Sequence, residues 1–124
     1  MMAKPIIVIV EDEFLVRVFS VDIAEEAGFS VLTAADADEA ISILRNRSDV
    51  SVVLTDIDLP GYLDGLELAQ VIRQRWPSIA VVVTSGWMRP TDDELPERNH
   101  FVPKPYDFAR LTRPVAGLGR VAFA

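Results

Sequence analysis

The sequence predicts an open, doubly wound α/β domain built on a parallel sheet. Three observations lead there. Short, β-branched apolar runs recur along the chain. Segments of helical periodicity separate the first four of them. The joints between runs and helices are short, and such alternation favours right-handed crossovers with helices on both faces of the sheet. The length of 124 residues suits about one ordinary domain.

Pro5 to Val10 is a continuous apolar run, as suits a first strand buried on both faces. Residues 14–27 follow at helical spacing, with Val16, Phe19, Ile23 and Ala27 expected on the inner face. Gly28 stands where helices commonly end in a left-handed residue. Phe29 to Thr33 reads as the second strand. Asp36 and Glu39 make a capping-box pattern, and Ala37, Ala40, Ile41 and Leu44 give the next helix an apolar face. Val50 to Thr55 is a third strand, buried by its composition. Asp56 to Asp64 reads as a loop holding Pro60 and Gly61. Leu66 to Arg75 is helical, with Leu68 and Ile72 on one face and Trp76 packing its end. Ile79 to Val83 is the fourth strand. Beyond Ser85 the pattern weakens, because Pro90 and Pro96 leave room for one short turn. His100 to Val102 is a short fifth strand. A last helix begins near Asp107, shortened or kinked by Pro114, and a loose tail follows Gly117 and Gly119.

Composition narrows the function. The net charge is −7, and it is unevenly placed. Residues 1–64 hold 13 acids and 4 bases, whereas residues 65–124 hold 6 acids and 8 bases. An isoelectric point near 4.6 without a basic stripe argues against direct nucleic-acid binding. No apolar run reaches the roughly 20 residues that span a bilayer. The start shows no signal-peptide pattern, and the absence of cysteine excludes disulfides and thiolate metal sites. Both fit a cytoplasmic protein.

Ligands of open parallel sheets bind beyond the carboxyl ends of the strands. Those ends carry Glu11, Asp12 and Glu13 after the first strand, and Asp56 and Asp58 after the third. Thr84 and Ser85 end the fourth, and Lys104 follows the fifth. Clustered carboxylates repel one another unless a cation or protons intervene. All-oxygen ligands suit a hard cation such as Mg²⁺ (or Mn²⁺). A hydroxyl and an ammonium at the same rim suit phosphoryl oxygens, so the set fits phosphoryl transfer to a carboxylate. Glu13 is read as a helix cap only, and His100 as ordinary surface.

Together, Glu11-Asp12, the Asp56-Ile57-Asp58-Leu59-Pro60-Gly61 segment with Asp64-Gly65, Val83-Thr84-Ser85 and Lys104-Pro105 resemble the receiver domain of two-component response regulators. The resemblance runs from about Lys4 to Val115. It implies a five-stranded, flavodoxin-like sheet of order 2-1-3-4-5, with the fourth helix degraded here by Pro90 and Pro96. It implies that Asp56 is the phosphoacceptor, served by the phosphohistidine of a histidine kinase or a phosphotransfer protein. Asp12 would ligate the metal directly, Glu11 through water, and Asp58 through its backbone carbonyl. Lys104 would bind a phosphoryl oxygen. Thr84 and Phe101 would be the switch residues that alter binding of an output protein. The loop from Pro60 to Gly65 is one residue longer than the commonest receiver version.

The expectation is therefore a single receiver domain over residues 1–124, with its core at about 4–115. It acts as a switch rather than an enzyme, beyond assisting its own phosphorylation and dephosphorylation. It is read as a stand-alone, single-domain receiver, with a receiver excised from a longer hybrid kinase or regulator as the alternative. Two rivals remain. Asp56-Ile57-Asp58 also resembles the nucleophile motif of haloacid-dehalogenase-like phosphohydrolases, although that motif belongs on a first strand. A receiver-like module that binds without phosphorylation is the other.

Overall fold

The structure is a computed structural model of the chain. It describes residues 4–84 with their side chains, and residues 85 and 99–103 as backbone. The elements are β1 (Ile6–Val10), α1 (Phe14–Glu26), β2 (Ser30–Ala34), α2 (Ala37–Asn46), β3 (Val50–Asp56), α3 (Gly65–Arg75), β4 (Ala80–Ser85) and β5 (Asn99–Pro103). The five strands form one parallel sheet of order β2-β1-β3-β4-β5. This is the flavodoxin-like order that the sequence led us to expect. The chain runs outward to β2 on one side of β1 and to β3 on the other. The switch point therefore lies at the carboxyl ends of β1 and β3.

Period-two alternation sorts the strand residues onto two faces. Val8, Val10, Val53, Val81 and Val83 pack with Leu44, Leu68 and Ile72 from α2 and α3. Ile7, Ile9, Val52, Leu54 and Val82 form the second cluster with Ile23, Ala24 and Phe29. Full burial of each such side chain contributes about 1.5–3 kcal/mol. The continuous apolar runs in β1 and β3 thus reflect burial on both faces.

The helices begin and end for local reasons. Ala27 closes α1 with its N–H on the Ile23 carbonyl at 3.1 Å. Gly28 then takes φ +99°, which only a residue without Cβ adopts freely. At α2 the Asp36 carboxylate accepts from Glu39 N–H at 2.8 Å. The expected reciprocal bond shifts by one residue, because Glu39 accepts from Ala35 N–H at 3.3 Å. A full capping box opens α3 instead: Glu67 N–H donates to Asp64, and Asp64 N–H donates to Glu67. Trp76 packs half-buried at the end of α3, as expected.

Two expectations are corrected in α1. Phe19 lies outside the buried face and is 51% exposed. The buried residues are Ser20, Ile23 and Ala24. Ser20 tolerates burial because its hydroxyl donates to the Val16 carbonyl at 2.8 Å, which satisfies it locally. Small residues let α1 approach the sheet, and the inner stripe rotates away from Phe19. Glu13 occupies the N-cap position but its side chain makes no cap bond. Its own N–H donates to the Glu11 carboxylate at 3.3 Å. Among the described residues no helix is long and apolar enough to cross a membrane. The region of Pro90 and Pro96 and the last helix lie outside the described residues.

Candidate functional site

The carboxyl ends of β1, β3 and β4 lie side by side. The register pairs Val10 with Thr55 and Asp56 with Thr84. Glu11 leaves β1 with its N–H on the Ala34 carbonyl at 3.0 Å, which fixes the exit of the chain. Ile57 leaves β3 with its N–H on the Thr84 carbonyl at 2.9 Å. These bonds hold the start of each loop to the neighbouring strand.

Glu11, Asp12 and Asp56 each present a carboxylate oxygen, all within 4.8 Å of one another. Glu11 and Asp56 are buried, and Asp12 is exposed. Two buried carboxylates beside a third make an unfavourable arrangement without a counter-charge. The donor set is all oxygen, with no nitrogen or sulfur in it. It fits a hard divalent cation that keeps several waters and takes one or two carboxylates, as Mg²⁺ does.

Asp56 is the last residue of β3, and its Oδ1 accepts from Asp58 N–H at 3.3 Å. Asp58 itself is exposed. Thr84, on the adjacent strand, is buried at 2% exposure. β5 ends at Pro103, paired with Ser85, and Phe101 pairs with Val83 through the backbone. Lys104 and the Phe101 side chain lie outside the described residues, as does the side chain of His100.

One contributor escaped the sequence reading, and another was named there without its role. Arg17 donates from Nη1 to the Glu11 carbonyl at 3.0 Å, and it lies over the Phe14 ring at 5.8 Å. It is the sole base between Lys4 and Arg45, a weak signal. Gly65 was read only as part of the Asp64-Gly65 motif, and the structure adds its contact with the acceptor. Its N–H donates to the Ile57 carbonyl at 2.8 Å. A Cβ there would overlap the Asp56 carbonyl. The long loop after Asp56 is thereby brought back against the residue from which it left. The Asp56-Ile57-Asp58 segment follows the third strand, not the first as the phosphohydrolase motif requires.

The family model of the response regulator receiver domain matches residues 7–116. The chain belongs to this family. Receiver domains are phosphoacceptors that pair with histidine kinases, and the family generally binds Mg²⁺. A stretch of 66 residues is 47% identical to the hydrogenase transcriptional regulatory protein HoxA of Cupriavidus necator, covering 53% of this chain and 13% of that protein. The aerobic respiration control protein ArcA of Escherichia coli is 33% identical over 114 residues, covering 90% of this chain and 47% of that protein. The receiver thus spans less than half the length of either relative. Among solved structures, the receiver domain of the hybrid histidine kinase CckA is 30% identical, with TM-score 0.76, and covers 91% of this chain and 97% of that one. A response regulator receiver protein from Sinorhizobium medicae superposes with TM-score 0.85 over 96% of this chain and 97% of that one. At 24% identity it speaks to the fold alone.

Proposed function

We propose that Asp56 of this receiver accepts a phosphoryl group from the phosphohistidine of a partner histidine kinase or phosphotransfer protein. One Asp56 carboxylate oxygen attacks phosphorus in line. The P–N bond breaks, its electron pair stays on the imidazole, and an acyl phosphate forms on Asp56. What carries this reading is the meeting of Glu11, Asp12 and Asp56 within 4.8 Å at the switch point of the sheet. Asp12, Asp56 and the Asp58 carbonyl would hold the cation, with Glu11 acting through water. The cation supplies charge neutralisation for the phosphoryl oxygens.

The other roles belong to the chain itself. Asp58 N–H orients the acceptor carboxylate. Burial of Asp56 limits water at the future acyl phosphate. The Thr84 hydroxyl donates to a phosphoryl oxygen, and Lys104 adds a positive charge there. Movement of Thr84, coupled to Phe101, then biases an existing equilibrium between two surface shapes and so changes binding of an output protein. We place this exchange in the cytoplasm, without direct contact with nucleic acid.

The test is incubation with a small acyl phosphate, read by intact mass. The wild type gains one phosphoryl group with Mg²⁺ and none with chelator, and Asp56→Asn gains none. Equal labelling of Asp56→Asn would overturn the acceptor assignment. Equal binding of an output partner with and without beryllofluoride would favour the unphosphorylated module instead.

A further inference from the structure

β2 ends the sheet, and among the described residues no strand pairs beyond it. The register gives the direction of its backbone groups. Ser30 N–H donates to the Pro5 carbonyl at 2.8 Å, and the Ala34 carbonyl accepts from Glu11 N–H at 3.0 Å. Ser30, Leu32 and Ala34 thus face β1. Val31 and Thr33 direct both N–H and C=O outward. Soluble proteins usually blunt such edges with charge, proline or a bulge. Ser30-Val31-Leu32-Thr33-Ala34 has neither charge nor proline, and it pairs with β1 in unbroken register. A groove of about 560 Å³ follows this edge on the α2 side, with Leu32 and Thr33 on one wall and Ile43 and Asn46 on the other.

We propose that the β2 edge is a self-association surface, on which a second copy of this chain adds its own β2 antiparallel with Leu32 at the two-fold axis. In that register Val31 of one copy lies opposite Thr33 of the other. Each such pair exchanges both of its backbone hydrogen bonds. Leu32 meets its own copy in a non-hydrogen-bonded pair, with Cα atoms about 4.5 Å apart. Leu32 and Ile43 are half-buried against the same core cluster, so the Leu32 pair continues that core across the axis.

Two observations select this occupant and this register. Sliding the pair by two residues would set Phe29 or Ala35 opposite an outward-facing partner. Those N–H groups are already donated, to the Ala24 carbonyl at 3.1 Å and to the Glu39 carboxylate at 3.3 Å. The two-fold also runs α2 antiparallel to its copy. α2 carries Asp38 and Glu39 in its first turn and Arg45 in its last. The acidic end of each helix therefore lies toward the basic end of the other. The contact is short, so the association is weak and depends on concentration.

Sedimentation of the whole chain over a concentration series reads the association directly. The mass should rise from 13.7 kDa toward twice that value. Thr33→Pro removes an outward N–H and obstructs the partner strand, yet leaves the inner ladder intact. It should stay at 13.7 kDa while keeping the wild-type circular dichroism melt. The chain has no cysteine, so a disulfide formed by Leu32→Cys must join two copies. The expected spacing suits one, and oxidation should give a cross-linked dimer on a non-reducing gel. A mass that never rises, association that survives Thr33→Pro, absence of the cross-link, or capture of foreign extended peptides alone would each overturn the proposal.

Discussion

Gly65 opens α3 where the chain passes closest to the acceptor, and Gly65→Ala tests that approach. A Cβ at this position would bring the carbonyl carbon and oxygen of Asp56 and the Cα of Ile57 inside 3.0 Å. Two effects of opposite sign compete. Alanine in place of glycine in a helix gains about 0.5–1 kcal/mol. Forcing an extra carbon into a filled space costs about 1–3 kcal/mol. Here the obstructing atoms are backbone, so no rotamer change relieves the overlap and the clash wins. The expected net loss is on the order of 1–2 kcal/mol, a fall of several degrees in melting temperature for a domain of this size. Because the displaced atoms include the backbone of Asp56, Mg²⁺-dependent phosphoryl uptake should slow as well. Urea unfolding followed by far-ultraviolet circular dichroism reads the stability. A Gly65→Ala protein as stable as the wild type, or more so, would refute the reasoning.

Other outcomes follow from the same geometry. Asp64→Ala removes the side-chain half of the α3 capping box and should cost about 1 kcal/mol in the same urea experiment. Asp12→Asn removes a charge from the carboxylate cluster. Mg²⁺ affinity, measured by calorimetry, should fall about tenfold or more, since even outer-sphere partners have effects of that size. The Arg47 guanidinium holds the Asp49 carboxyl below the usual carboxylate range, chiefly through their hydrogen bonds. Since folding lowers this pKa, the pair's stabilisation is complete above the unfolded carboxylate value. It is lost as pH falls through the lowered folded one. In Arg47→Ala, a carbon-detected titration should show Asp49 protonating at higher pH than in the wild type.

Much of this protein was legible because the physics involved is local or periodic. β1 and β3 read as buried strands because burial on both faces demands unbroken apolar runs. Ala37, Ala40, Ile41 and Leu44 all proved buried in α2, since one stripe at helical spacing admits one inner face. The ambiguity in α1 came from two adjacent stripes. Phe19 is the larger apolar residue, but Ser20 meets its hydrogen-bonding need within the helix and so can turn inward. Polarity in the sequence does not reveal that a hydroxyl will be satisfied by its own backbone. Glu13 misled as well. It holds the N-cap position, yet its side chain makes no cap bond, and the carboxylate that accepts a backbone N–H here is that of Glu11, from Glu13. At the site, Asp12 and Asp56 were found from their place after apolar runs, and Gly65 as part of a motif, whereas Arg17 and the approach of Gly65 to Asp56 involve backbone carbonyls that no side-chain pattern announces.

The uneven placement of charge along the chain shows where the division falls. Sequence alone determined the strand–helix alternation, the acid-rich first half and the position of each carboxylate after a strand. Period and composition are properties of neighbours along the chain. Only the tertiary structure decided that Glu11, Asp12 and Asp56, which come from two strand ends more than forty residues apart, stand within 4.8 Å. It alone decided that Thr84 lies beside Asp56 and that α3 presses its first residue against the Asp56 carbonyl. Those distances follow from placing β1 between β2 and β3 and from the register of the parallel ladders. Strand order and register are set by how both faces of the sheet are covered at once, which no segment of the chain encodes by itself.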